Sequence, residues 1–299
     1  MELKPLFKRF LDSYSNPNTR TTYLKNINPF LEWLKSKSIL EVEHLQMDFF
    51  NEYSQELHKG NNRLLSIKNK LHCIYLFYKF LFQLDYIGES YLKFLAIPKR
   101  APVRKTPGLS DLEALGFLNA DYSGLESKFV RVRDRLIFHI FLYLGLRIEE
   151  VFNLDLADIS LNKVGVSYIF IKGKGGSGEY MALKKSLIPL ILKYLKLRAK
   201  RDIEGIEKGF LITSKGKLKR LSLIQIRWLI KDRVKRFGFK KKITAHWFRV
   251  TAISHLSEKA GIRSACYFAR HKNINTTLGY DRRRINLKNH PSFLIDYKK

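Results

Sequence analysis

The sequence predicts a mainly α-helical protein with a small β-sheet, built as a four-helix N-terminal domain followed by a larger α+β domain. Three observations lead there. Apolar residues recur at helical spacing through nearly all of the first hundred positions, and a basic stretch with three prolines then interrupts the chain between residues 97 and 107. Beyond it, helical periodicity gives way once, between 164 and 183, to two strand-like runs around a glycine-rich turn. A length of 299 residues suffices for two domains that each bury a core. The 45% hydrophobic and 13% aromatic content excludes a disordered chain.

In the first domain, residues 1–96, helical spacing appears in Leu3 to Tyr14, Tyr23 to Leu34, Leu45 to Leu57 and Leu64 to Leu84. Breaks fall at Asn16-Pro17-Asn18 and Gly60-Asn61-Asn62. The last of these helices is apolar nearly all round, which makes it the central one of a bundle. Its aromatics, Tyr75, Phe77, Tyr78, Phe80 and Phe82, read as core rather than as stacking platforms for bases. Residues 97–107 form the linker. Its prolines keep it extended, and its four basic residues suit a strap along a phosphate backbone as well as a solvated connection.

The second domain, 108–299, opens with Ser110-Asp111-Leu112-Glu113, the spacing of a capping box that starts a helix. Helical pattern runs from about Lys128 through Leu146 and on to Leu154. Strands are predicted over Val164 to Ile171 and Tyr180 to Leu183, on either side of a turn from Gly173 to Gly178. Helices resume at about Leu187 to Lys200, Leu221 to Phe237, Thr244 to Lys259 and Ile262 to Ala269. The end of the chain holds an apolar cluster, Pro291 to Tyr297, that packs either on its own domain or on a neighbouring subunit.

Charge narrows the function. The chain has 56 Lys and Arg against 27 Asp and Glu, a formal net charge of +29, and such an excess meets a polyanion. Nucleic acid is the first expectation and a membrane surface the second. The excess is uneven, with 15 basic and 10 acidic residues up to position 100 but 41 and 17 beyond it. Within 193–242, 18 basic and 4 acidic residues alternate with Leu, Ile, Phe and Trp, the pattern of a folded basic face rather than a bare tail. Cys73 and Cys266 match no metal-ligand or disulfide framework, so a reducing compartment and two buried thiols are expected. The N-terminus has no signal-peptide core. The longest apolar run, Leu136 to Leu146, is broken by His139 and too short to span a bilayer, so a soluble cytoplasmic protein is expected.

Four segments carry candidate chemistry. The first, Tyr143-Leu-Gly-Leu-Arg147-Ile-Glu-Glu, places one arginine in an apolar stretch. Its guanidinium could fork onto phosphate oxygens or pair with Glu149 or Glu150. The second, Ile171-Lys-Gly-Lys174-Gly-Gly-Ser-Gly, puts two lysines on the turn between the strands, without the spacing of a nucleotide-binding P-loop. In the third, Thr244-Ala-His246-Trp-Phe-Arg249, a histidine and an arginine three apart share one helical face. The fourth, Ala269-Arg-His271, is followed nine residues later by Tyr280. A lone histidine or tyrosine of this kind is more often structural.

Together and in this order, the four segments resemble the signature of the tyrosine recombinases, the family of phage integrases, Xer-type resolvases and Cre. The resemblance covers about residues 110 to 285, and the helices before it resemble the family's core-binding domain. It implies that Tyr280 attacks a DNA phosphodiester to form a 3′-phosphotyrosine, with His246 as base, Lys174 as the acid for the leaving 5′-oxygen, and Arg147, Arg249 and His271 around the phosphate. It also implies double-stranded DNA as partner, a homo-tetramer on paired sites, and no cofactor. Type IB topoisomerases and hairpin telomere resolvases share the tyrosine chemistry, but the length and the His-x-x-Arg behind a helical domain suit the recombinase plan. Departures are Arg270, where the family usually has glycine, and Trp247 and Phe248, where leucine is common. Lys172 competes with Lys174 for the turn lysine.

Overall fold

The computed structural model describes residues 1–60, 62–95, 106–162, 164–173, 178–205, 207–216 and 218–280. Lys174, most of the linker and the tail beyond Tyr280 lie outside the described residues. The chain divides into two compact units, Met1–Arg104 and Lys105–Lys299.

The first unit contains the four expected helices, α1 (Leu3–Asp12), α2 (Pro17–Ser36), α3 (Asp48–Lys59) and α4 (Leu64–Gln83), and a short fifth, α5 (Glu89–Phe94). Six residues are too few for a periodic pattern to announce α5. The Asn16-Pro17 break proves to be a helix start. The Asn16 side chain accepts from the backbone N–H of Asn18 at 2.8 Å, and Pro17 occupies the first turn, where a missing N–H costs nothing. As expected, α4 is central and packs on α1, α2, α3 and α5. Its aromatics Phe77 and Tyr78 are buried in the core, and Phe77 meets Phe10 edge-on with centroids 5.6 Å apart.

The second unit opens as predicted. Ser110 Oγ accepts from the Glu113 N–H at 3.2 Å and Glu113 Oε2 accepts from the Ser110 N–H at 2.9 Å, capping α6 (Asp111–Leu118). The pattern expected to run unbroken to Leu154 is divided. Helix α7 (Lys128–Leu144) stops at Gly145, in the left-handed region at φ 56°, and α8 (Ile148–Phe152) starts afresh with Arg147 as its N-cap. A Cβ on Gly145 would stand 2.8 Å from the Phe268 ring, so close packing and backbone conformation both require glycine. Apolar periodicity crosses the break because Leu144, Leu146, Val151 and Leu154 all enter one core.

The sheet is antiparallel in the order β1-β2-β3, with β1 (Ile159–Ser160), β2 (Tyr168–Lys172) and β3 (Gly178–Ala182). Ile169 pairs with Met181 and Ile171 with Glu179. The first strand predicted, from Val164, begins four residues late because Gly165 turns the chain at φ 95° and leaves Val164 and Val166 exposed. β1 is too short to have a readable period.

Around this sheet and α7 stand α9 (Ile188–Ala199), α10 (Leu223–Arg236), α11 (Ala245–Ala269) and the short α12 (Ile274–Leu278). Gly261, at φ 79° and ψ 168°, interrupts α11 between the two helical segments read from the sequence. Phe248 explains one departure from the family pattern. It is buried among Phe117, Phe138 and Phe141, its ring 4.9 Å from that of Phe117, and anchors the first turn of α11. Cys73 is buried as expected, but Cys266 is only half-buried and directs its thiol to the His271 carbonyl at 3.3 Å. Among the described residues no helix is long and apolar enough to cross a membrane.

One buried charge was not foreseen. Asp134 on α7 is sealed from solvent and accepts from Arg133 Nε at 2.9 Å and from Arg233 of α10 at 2.6 and 3.0 Å. Among the described residues, removing it would leave the buried Arg133 guanidinium with only the Ile212 carbonyl and Arg233 with Asp232 alone. Asp134→Ala is therefore expected to cost about 3–5 kcal/mol in chemical denaturation, and a midpoint equal to wild type would contradict the role given to this carboxylate.

Candidate active site

Three segments remote in sequence converge on one cluster of side chains. The α7–α8 break delivers Arg147, the first turn of α11 delivers His246 and Arg249, and the end of α11 with α12 delivers His271 and Tyr280. Five of the six predicted residues are thus brought together, and Lys174 lies outside the described residues.

Arg249 is the buried centre. Only 2% exposed, it donates from Nη1 to the Gly145 carbonyl at 2.6 Å and from Nη2 to the Ala269 carbonyl at 2.5 Å. These carbonyls terminate α7 and α11, so the guanidinium ties together the two helix ends that carry Arg147 and His271. Burial, and next the charge of Arg147, pull its pKa down to about 10, which leaves it charged at neutral pH.

Arg147 leads into α8 with its side chain 45% exposed. Its Nη1 donates to Glu150 Oε1 at 2.9 Å while Glu150 Oε2 accepts from the Arg147 backbone N–H at 2.6 Å. The ion pair left open by the sequence is therefore made with Glu150. It is compatible with a phosphate role, since the guanidinium still faces the cleft lined by Ile171, Gly178, Arg270 and Lys272. Glu150 also accepts from Arg270 Nη2 at 2.7 Å and lies 3.8 Å from Arg249 Nη1, so one carboxylate serves three arginines. The sequence reading missed this hub. Its signal was spacing, because Glu150 stands three residues beyond Arg147, at the N3 position of a capping box.

Both histidines are held neutral. Burial, then Arg249 and Arg147, lower the pKa of His246. The same causes in the same order, with Arg270 added, push His271 down to about 4. His271 Nε2 lies 3.2 Å from Arg249 Nη2, which can only donate, so Nε2 accepts and Nδ1–H points at Thr277 Oγ1, 2.8 Å away. Without DNA, then, His271 has no spare N–H for a phosphate. Thr277, buried on α12, had no signal in the sequence.

Tyr280 is half-buried. Its ring stacks on His271 with centroids 5.5 Å apart at 24°, and stands 6.1 Å from the ring of His246 at 64°. Its backbone is fixed at both polar atoms, the N–H donating to the Thr277 carbonyl at 2.8 Å and the carbonyl accepting from Ser254 Oγ at 2.9 Å. With Phe268 it packs on Ile253, Ala265 and Ala269, a small cluster on the two limbs of α11.

Lys172 lines the same cleft as Arg147 and is paired with acids there. Its ammonium bonds Asp155 and lies 3.0 Å from Asp158, while Arg220 also pairs with Asp155. The bond to Asp155 raises its pKa. A lysine held in this way pins the end of β2.

Residues 118–285 match the sequence profile of the Phage integrase family. The tyrosine recombinase XerC of Leptospira interrogans serogroup Icterohaemorrhagiae serovar copenhageni is 26% identical over 272 residues, 88% of this chain and 82% of that protein. XerC of Psychromonas ingrahamii is 26% identical over 289 residues, 93% and 91% of the two chains. Among solved structures, the XerH site-specific recombinase bound to its difH substrate in a pre-cleavage complex has a TM-score of 0.70 at 18% identity, over 93% of this chain and 79% of that one. A lambda integrase tetramer bound to a Holliday junction has a TM-score of 0.68 at 14% identity, over 96% and 80%. The two structures share the fold of this chain.

Proposed function

Because this chain belongs to the phage integrase family and is a tyrosine-type site-specific DNA recombinase, we propose that it breaks and rejoins duplex DNA with Tyr280 as nucleophile. Tyr280 Oη attacks the phosphorus, the bond from phosphorus to the 5′-oxygen breaks, and a 3′-phosphotyrosine and a 5′-hydroxyl result. A phenol with a pKa of about 10 is mostly protonated at neutral pH, so its proton must leave as it attacks, and His246 receives it. Lys174 supplies the proton that the 5′-oxygen needs. Arg147 and Arg249 stabilise the charge that grows on the non-bridging oxygens, with His271 as a further donor. Ester is exchanged for ester, so the cycle needs no external energy source.

The observation that carries this reading is the convergence of Arg147, Arg249, His246 and His271 around Tyr280, with the pKa of both histidines lowered by burial and the neighbouring arginines. The surplus basic charge beyond residue 100 supports a phosphate-rich partner, double-stranded DNA. The reading extends to an N-terminal domain, 1–96, that binds the DNA as the catalytic domain does, a linker strap at 97–107, a homo-tetramer on paired sites, and action in the cytoplasm.

Two tests address it. A nicked suicide substrate, which loses the attacking 5′-end after cleavage, should trap a covalent adduct, and strand exchange between two sites should separate a recombinase from a topoisomerase. Lys174→Ala should cleave ordinary DNA slowly yet recover on a 5′-bridging phosphorothiolate, whose sulfur leaves without a proton. Rescue of Lys172→Ala instead would transfer the acid role to Lys172.

The neutral histidines add a proton-linkage prediction. A phosphodiester in the pocket opposes the arginine charge that depresses His271 and raises its pKa from about 4. DNA binding should therefore take up protons, increasingly as pH falls from 7 towards the free value. Calorimetry in two buffers of different ionisation enthalpy measures the uptake, and a binding heat independent of buffer would contradict it.

A further inference from the structure

Arg270 is built into this pocket at a cost, and the cost suggests a task. It sits at φ 53° and ψ 46°, in the left-handed region that non-glycine residues seldom occupy. A glycine would adopt that backbone without strain. The side chain is nevertheless held tightly. Only 8% exposed, it donates from Nη2 to Glu150 Oε2 at 2.7 Å and from Nη1 to the Phe268 carbonyl at 3.2 Å. Glu150, 13% exposed, in turn holds the exposed guanidinium of Arg147 through its other oxygen.

We infer that Arg270 is a positioning residue for the strand-cleavage reaction, acting through Glu150 to fix the direction of Arg147. Both oxygens of Glu150 already meet Arg147, Oε1 at its guanidinium (2.9 Å) and Oε2 at its backbone N–H (2.6 Å). Arg270 adds a charged donor to Oε2 at 2.7 Å and, with its guanidinium anchored on the Phe268 carbonyl in the last turn of α11, ties the carboxylate that holds Arg147 to a second helix end. Arg147 is then held ready for a phosphate oxygen before DNA arrives, which is where preorganisation contributes to rate. Arg270 lines the same cleft as Arg147, with its terminal nitrogens on Glu150 and Phe268, and the salt dependence of binding distinguishes positioning from a direct phosphate contact.

The inference rests on the reading of Arg147 as a phosphate ligand. It is tested by single-turnover cleavage of a nicked suicide substrate at saturating DNA, with wild type, Arg270→Gly, Glu150→Gln and the double variant. Arg270→Gly should slow cleavage by about 10- to 100-fold, the range seen when outer partners of a ligating group are removed. In the Glu150→Gln background the same change should add little, because the path through the carboxylate is already cut. DNA affinity should fall with salt as steeply as in wild type, whereas loss of a direct phosphate contact would lower the slope by about 0.9. Arg270→Asn, which also tolerates the left-handed backbone, repeats the measurement without the extra freedom of glycine, and melting curves verify folding. Multiplicative rate losses in the double variant, a reduced salt slope, or wild-type cleavage by Arg270→Gly would each overturn the inference. An adduct missing from wild type itself would instead count against the recombinase chemistry on which it rests.

Discussion

Tyr280→Phe is expected to abolish the covalent protein–DNA adduct, lowering its yield by at least about a thousandfold, while DNA affinity and its salt dependence stay at wild-type values. The substitution removes one hydroxyl and leaves every charge in place. The phenyl ring that remains can still stack on His271 and pack against Phe268, so folding is preserved. Gel analysis of suicide-substrate reactions measures the adduct, and electrophoretic mobility shift measures binding. An adduct that persists in the variant would remove Tyr280 from the mechanism. Tyr267, 79% exposed on α11, would be examined next.

Arg249→Lys should have the second largest effect, although the charge is conserved. The native guanidinium spans the Gly145 and Ala269 carbonyls and still reaches His271 with one nitrogen. An ammonium is a point donor and cannot bridge that fork. Loss of a preorganised donor to the growing phosphate charge should reduce cleavage by about 10²–10³-fold. A buried carbonyl left without its partner should cost about 1–3 kcal/mol of stability besides. Single-turnover rates with thermal melting monitor both. A lysine variant that cleaves at the wild-type rate would show that the fork is dispensable.

Much of this was legible in the residues themselves. Ser110 and Glu113 announced the start of α6, the gap between Lys259 and Ile262 the interruption of α11, and the run from Leu64 to Leu84 the central helix of the first unit. Each is a local signal, a cap, a breaker or a periodicity, that the fold did not override. The candidate site was legible as four segments in an order that resembles the tyrosine recombinase signature, since each histidine or tyrosine taken singly reads as structural. What stayed hidden depends on contacts between distant segments. Nothing local marks Asp134 as the buried partner of Arg233, ninety-nine residues away, or Arg270 as that of Glu150, one hundred and twenty away. The division of α7 from α8 was missed because both helices feed one core, so apolar spacing carried across Gly145 while the left-handed glycine ended the helix. β1 and α5 were missed for shortness alone.

The most direct measurement is the site of covalent attachment. After trapping on a nicked suicide substrate, the protein is digested with protease and nuclease, and the nucleotide-bearing peptide is sequenced by mass spectrometry. The account predicts a single linkage, from Tyr280 Oη to the 3′-phosphate at the cleavage position, with a free 5′-hydroxyl on the released strand. A phosphate carried by any other residue, or joined to the 5′-end of the DNA, would contradict it.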